Sequence, residues 1–232
     1  MNIEWHTFET PSALADALAA AVAGELSAAV DARAGALLAV SGGTTPRLFM
    51  ERLSEAPLDW EKVTVTLADE RFVPPSSDRS NAKLAREHLL KNRAAAAIFV
   101  PLYSDAGDVG EAARLAASRI SALPLPLDVV VLGMGTDGHT ASFFPDAANI
   151  GDILAAEDGP AVLPVISGTA QEPRLTLSMP VISGARSVFL HIEGDDKKAV
   201  LERALAEEPP LPIRAVIERT AVPVRVYWAP KG

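Results

Sequence analysis

The chain has 232 residues, 49% of them hydrophobic, which is ample for a buried core in one large domain or two small ones. With 21 basic against 30 acidic side chains the formal charge is -9, which repels a nucleic-acid backbone but leaves room for a small anion held by a few convergent cations and N–H groups. Zero cysteines exclude disulfides, thiolate metal sites, iron–sulfur clusters and a cysteine nucleophile.

The opening "MNIEWHTFET" has no basic segment followed by an apolar core, and no uninterrupted apolar run reaches the roughly 18 residues of a membrane span. A soluble, cytoplasmic protein with neither membrane nor nucleic acid as partner is expected. Thr10-Pro11 reads as an N-cap with proline at the first helical position, and Leu14, Leu18, Val22, Leu26 and Val30 then recur on one face. An alanine-rich helix is therefore expected to begin the fold. "ALLAV" at 36–40 is a short apolar strand stopped by Ser41-Gly42-Gly43, and Pro46 opens a helix through "RLFMERL". A strand at 62–68 ("KVTVTLA") precedes a helix at 80–93, with Leu84, His88 and Leu89 on one side.

The same alternation continues with a helix at 108–123, a buried strand at 128–133, and a strand at 161–166 whose Pro164 argues for an edge. "RLTLS", "SVFLHIEG", the helix "DDKKAVLERALA" and a final strand "VRVYW" complete it. Strands alternating with helices predict an α/β fold, a mostly parallel sheet with helices on both faces, in one domain spanning 1–232. Ligands in such sheets collect beyond the C-terminal strand ends. Three turns there carry unusual chemistry: "SGGTTP", "DERFVPPSSDRSN" and "GMGTDGHTASFFP".

The third contains a Gly-x-Gly-x-x-Gly at Gly133, Gly135 and Gly138, the spacing of a dinucleotide fingerprint. That mechanism needs a helix to start at the turn, and Pro145 would end one almost at once; Glu157 and Asp158 also precede the next strand, where a ribose-binding acid would follow it. The residues after the glycines carry more. His139, crowded with Asp137, Thr140 and Ser142, has a ring that exchanges protons near neutrality, whereas His6, His88 and His191 lie in patterns expected of structural histidines. "SGGTTP" offers Gly42 and Gly43 N–H groups, two hydroxyls and a helix start, a phosphate cradle without the Gly-Lys-Ser/Thr ending of a nucleotide loop. Asp69, Glu70 and Arg71 offer carboxylate and guanidinium to hydroxyls or phosphate, though alone the triplet reads equally as an exposed charge cluster, and Arg174 and Lys197 can bring positive charge to the same strand ends.

In this order and spacing, "SGGTTP", "DERFVP....RSN" and "LGMGTDGHTASFFP" closely resemble the 6-phosphogluconolactonase family over nearly the whole chain. That family is grouped with glucosamine-6-phosphate deaminase and ribose-5-phosphate isomerase, which share a Rossmann-like α/β core without a bound dinucleotide. In the deaminases the Asp-Gly-His turn continues Ile-Ala-Phe-Asn-Glu; here it continues Thr140-Ala141-Ser142-Phe143-Phe144, without that Asn-Glu pair. Thr44 replaces a common serine and Phe143 a common leucine. The resemblance implies hydrolysis of 6-phospho-D-glucono-1,5-lactone, a phosphorylated sugar lactone, in the oxidative pentose phosphate pathway. It makes His139 the general base and assigns phosphate or sugar binding to Gly42, Gly43, Thr44, Arg71, Arg174 and Lys197. From their positions, Asp137 and Asp69 are expected to orient His139 or bind hydroxyls. This chemistry calls for no metal or organic cofactor. A Ser142 nucleophile is a rival within the reaction, though it lacks a Gly-x-Ser-x-Gly elbow. A deaminase or isomerase and a non-catalytic sugar-phosphate sensor are rival classes, and the oligomeric state stays open.

Overall fold

The computed structural model describes every residue except Met1, Glu207, Pro209 and Gly232. In chain order the elements are β1 (Ile3–Thr7), α1 (Pro11–Arg33), β2 (Ala36–Val40), α2 (Arg47–Ser54), β3 (Val63–Leu67) and β4 (Asp69–Arg71). Then come α3 (Asn81–His88), β5 (Ile98–Phe99), α4 (Val109–Ser121), β6 (Val129–Leu132), α5 (Ile150–Ala155) and β7 (Val162–Val165). The chain finishes with β8 (Arg174–Leu177), α6 (Met179–Ser183), β9 (Ser187–Glu193), α7 (Asp195–Ala206), α8 (Pro212–Arg219) and β10 (Val224–Ala229).

Helix α1 begins as the local chemistry demands. Thr10 Oγ1 accepts the Ala13 N–H at 3.2 Å, a cap worth about 1 kcal/mol, and Pro11 follows with its φ already helical. By length and composition α1 could cross a membrane, but here its Leu14, Leu18, Val22 and Leu26 are fully buried, as in a core helix. It is not the first element, however. Ile3–Thr7 pairs in parallel with β10, from Ile3 opposite Val224 to Thr7 opposite Trp228. Only Ile3 and His6 are half-buried, and their spacing of three puts them on opposite faces, so partner pairing rather than local pattern makes this strand.

Seven strands form a parallel sheet in the order β1-β10-β9-β6-β2-β3-β5. Strands β2 and β6 read as continuous apolar runs because both of their faces are covered. The chain steps outward from β2 to β3 and β5, then crosses back to β6 and leaves the other way through β9 and β10. With right-handed crossovers this reversal puts α1–α3 on one face and α4, α7 and α8 on the other. The point of reversal lies between β2 and β6, and there the loops after the two strands part and leave a crevice.

A second, three-stranded antiparallel sheet, β4-β8-β7, was not expected from the sequence. It brings Asp69 opposite Thr176, Glu70 opposite Leu175 and Arg71 opposite Arg174. "ADERF" is therefore a strand, not a turn. Pro164 lies on β7, an outer strand of this small sheet, as its missing N–H requires. The helix expected over 80–93 stops at His88. The Leu89 and Leu90 N–H groups both return to the Ala85 carbonyl, and Asn92 takes a positive φ of 50° with its Nδ2 donating to Ser54 Oγ at 3.0 Å. A contact from α2 thus ends a helix that local propensity would continue. Buried apolar side chains from both sheets and the helices between them form one contiguous cluster.

Candidate active site

A cavity of about 250 Å³ opens at the crevice between β2 and β6, room for one small polar ligand. Its wall comes from four strand ends and the segments that follow them: Ser41 to Pro46, Val131 to Gly135 with His139 and Ala141, Asp69 and Arg71 with Asn81, and His191 with Lys197. All three chemistry-bearing turns meet here.

The glycine turn after β2 is shaped for close approach. Gly43 has φ +103°, a region that L side chains rarely adopt, and a Cβ on Gly42 would lie 1.9 Å from Asn81 Oδ1. Helix α2 starts directly after it without a side-chain cap, so its first N–H groups and dipole are available to an anion.

The turn after β6 folds back on itself and opens no helix: Gly135 N–H donates to His139 O at 2.9 Å, Gly138 N–H to Gly135 O at 3.0 Å, and Thr140 Oγ1 to Gly133 O at 2.8 Å. The next helix starts only at Ile150, so the dinucleotide geometry is lacking. Asp137 Oδ1 accepts from His139 Nδ1 at 2.5 Å and from the His139 N–H at 3.2 Å. A carboxylate on Nδ1 selects the tautomer with its proton there and leaves Nε2 unprotonated, with its lone pair available. Burial alone would raise the Asp137 carboxyl, but the hydrogen bonds and charge of His139 hold it below its ordinary value. The other ring face is covered by Phe144, with centroids 4.6 Å apart.

Two cations address the cavity without a carboxylate partner. The Lys197 ammonium makes no hydrogen bond or ion pair with any described residue; burial holds it below the ordinary lysine value against the pull of Asp196 and Glu193. The neighbouring Lys198 instead lies over the Trp228 ring, 4.5 Å from its centroid, so the fold separates the two lysines. Arg71 donates through Nη1 to the Arg79 carbonyl at 2.5 Å. Arg174 does not reach the wall. It is buried beside Arg71 on β8, donating to the Glu172 carbonyl at 2.8 Å and to Glu172 Oε2 at 3.1 Å, so the cavity cation expected there is engaged elsewhere.

Asp69 lines the cavity but does not touch His139 through any hydrogen bond; it accepts from Ser142 Oγ at 2.7 Å and from Asn81 Nδ2 at 3.4 Å. Ser142 is fully buried and off the wall. Of the histidines expected to be structural, His6 stacks on Tyr227 and His88 bonds Glu51 at 2.9 Å. His191 is also held, by Glu193 at 3.2 Å, yet lines the cavity with its buried Nδ1 unpartnered. Its place at the C-terminal end of β9 was the readable signal.

Asn81, on the cavity wall, was not singled out in the sequence, and Glu70, read there as part of the Asp69-Glu70-Arg71 cluster, lies off the wall. The fully buried Glu70 carboxylate accepts from the N–H groups of Arg71, Asn81 and Ala82, each at 2.7 Å, and from Ser80 Oγ at 3.0 Å. Burial pushes this carboxyl up while those four donors pull it back. It pins the start of α3 to β4, and so sets both Arg71 and the Asn81 side chain that leans on Gly42.

The model of the family described as glucosamine-6-phosphate isomerases/6-phosphogluconolactonase matches residues 9–228. The chain belongs to that family. A lactonase-family relative from Rhizobium meliloti (strain 1021), named 6-phosphogluconolactonase, is 52% identical over 232 residues, covering 99% of this chain and 100% of its own. The 6-phosphogluconolactonase of Pseudomonas aeruginosa is 46% identical over 215 residues, 92% of this chain and 89% of that protein. Among solved structures, a 6-phosphogluconolactonase from Shewanella baltica OS155 superposes with a TM-score of 0.94 at 42% identity, covering 98% and 97% of the two chains.

One glycine of this family member's turn gives a direct test. A Cβ on Gly135 would lie 2.3 Å from His139 Nδ1 and Cε1 and 2.6 Å from Asp137 Oδ1. Because Gly135 is not among the positive-φ residues, Gly135→Ala is expected to fold but to displace the imidazole, lowering kcat by about 100-fold. Wild-type kcat in this variant would show that the ring can move without loss.

Proposed function

We propose that the protein hydrolyses 6-phospho-D-glucono-1,5-lactone to 6-phosphogluconate, the lactone-opening step of the oxidative pentose phosphate pathway. The observation that carries this reading is His139, oriented by Asp137, on the same cavity wall as a glycine cradle and two cations that have no carboxylate partner among the described residues. The names of the relatives favour the same reaction over the isomerase branch of the family, as does the Thr140-Ala141-Ser142 continuation of the turn.

In this mechanism the lactone phosphate binds to the N–H groups of Gly42, Gly43 and Thr44 at the start of α2, with Arg71 and Lys197 supplying charge. His139 Nε2 removes a proton from water as its oxygen bonds to C1. Asp137 stabilises the imidazolium without taking its proton, and N–H groups of the glycine turns stabilise the C1 oxyanion. Collapse breaks the bond from C1 to the ring oxygen, and the imidazolium returns its proton to that oxygen. Water is favoured over Ser142 as nucleophile, since the Ser142 hydroxyl is buried and donated to Asp69.

The test is hydrolysis of freshly generated lactone, corrected for spontaneous opening, run beside ammonia release from glucosamine 6-phosphate. Accelerated opening without ammonia is expected. Ammonia release would restore the deaminase reading, and tight binding of 6-phosphogluconate with no turnover of either compound would make the protein a sensor.

A further inference from the structure

We infer that Arg174 is a positioning residue for His139, acting through Phe144, and not a ligand of the substrate phosphate. Its guanidinium carbon lies 5.7 Å from the centroid of the Phe144 ring, within the range of a cation–π contact. Phe144, itself buried, lies 4.6 Å from the His139 ring at a tilt of 39°. The three side chains thus form a column, Arg174 to Phe144 to His139. Asp137 holds the imidazole by one edge at Nδ1, which still permits the ring to swing about that contact; the Phe144 face removes this freedom.

The far end of the column is fixed as well. Arg174 is only 7% exposed and both its hydrogen bonds go to Glu172, whose Oε2 also accepts from Arg79 Nη2 at 2.9 Å and whose Oε1 is paired with Arg79 Nε. Arg79 anchors Glu172, Glu172 aims Arg174, and the cation holds the Phe144 ring in place beside His139. Arg71, directly opposite on β4, takes the place on the cavity wall that a second arginine would need. Two adjacent arginines therefore divide the work: one faces the ligand, the other braces the imidazole.

This inference rests on His139 being the base, so the test pairs kinetics with a measurement that does not depend on activity. Arg174→Met, which keeps the apolar stem and removes the cation, is expected to lower kcat by about 10-fold with KM nearly unchanged, because a small misplacement of the base slows chemistry without weakening binding. Arg174→Lys, which keeps the charge, should recover part of the loss. The proton NMR resonance of His139 Cε1–H, assigned by its absence in His139→Gln, carries the ring current of Phe144. It should move in Arg174→Met in the same direction as in Phe144→Leu. If Arg174→Met fails to fold, Glu172→Gln loosens the guanidinium without deleting it and is expected to shift the same resonance. A 10-fold rise in KM with kcat intact would assign Arg174 to the phosphate instead, and a His139 resonance unmoved in the folded variants would dissolve the column. Should His139 prove dispensable for turnover, the NMR result still decides whether the brace exists.

Discussion

Replacing His139 with alanine is expected to lower kcat for the lactone by about 10²- to 10⁴-fold, the range that a general base contributes, with KM changed little. The protein should remain folded. The His139 side chain is 30% exposed, bonded to Asp137 and packed beside Phe144 at the cavity wall, so truncation opens a space connected to solvent. A residual rate above spontaneous opening is expected, because the cradle and the oxyanion-binding N–H groups survive the substitution. Steady-state kinetics on freshly prepared lactone, with circular dichroism as the fold control, decides the matter. Undiminished kcat in a folded His139→Ala would remove proton transfer from this residue and turn attention to Asp69 and His191, the other ionisable groups on the wall besides the cations.

Lys197→Met is expected to weaken binding of 6-phosphogluconate by about 10- to 100-fold, the cost of losing one charge-assisted hydrogen bond to a phosphate. Stability should be unchanged or slightly higher, since the half-buried ammonium has no hydrogen-bond or ion-pair partner among the described residues to compensate its lost hydration. The pH dependence follows from the same burial. Only the protonated lysine attracts phosphate, and its value is depressed below the ordinary 10.5, so wild-type affinity should begin to fall at a pH lower than an exposed lysine would require. This part of the pH dependence should vanish in Lys197→Met. Calorimetric titration with 6-phosphogluconate measures both effects and avoids spontaneous lactone opening. Equal affinity in the variant would place the phosphate elsewhere in the cavity, with Arg71 as the remaining cation on its wall.

Both expectations concern residues whose chemistry was readable before the fold was known. Helix α1 announces itself through the Thr10-Pro11 start and its apolar repeat, and β2 and β6 through apolar runs cut off by glycine; such signals lie within a few residues of the structure they cause. Likewise His139 and Asp137 are two positions apart, close enough that the turn alone brings carboxylate and ring together.

The tertiary structure decided whatever depends on partners distant in the chain. Strands β1 and β4 are short and weakly patterned; they exist because β10 and β8, more than a hundred residues away, offer open edges to pair with. Glu70 looks like a surface charge within "DER" until four donors close around it, and Arg174, expected to bring charge to the strand ends, is found hydrogen-bonded to Glu172. The sequence by itself determined which turns carry glycine, hydroxyl, imidazole and charge. That they face one cavity was decided by the reversal of chain direction between β2 and β6, because where crossovers change direction the loops beyond neighbouring strands separate and leave a crevice between them.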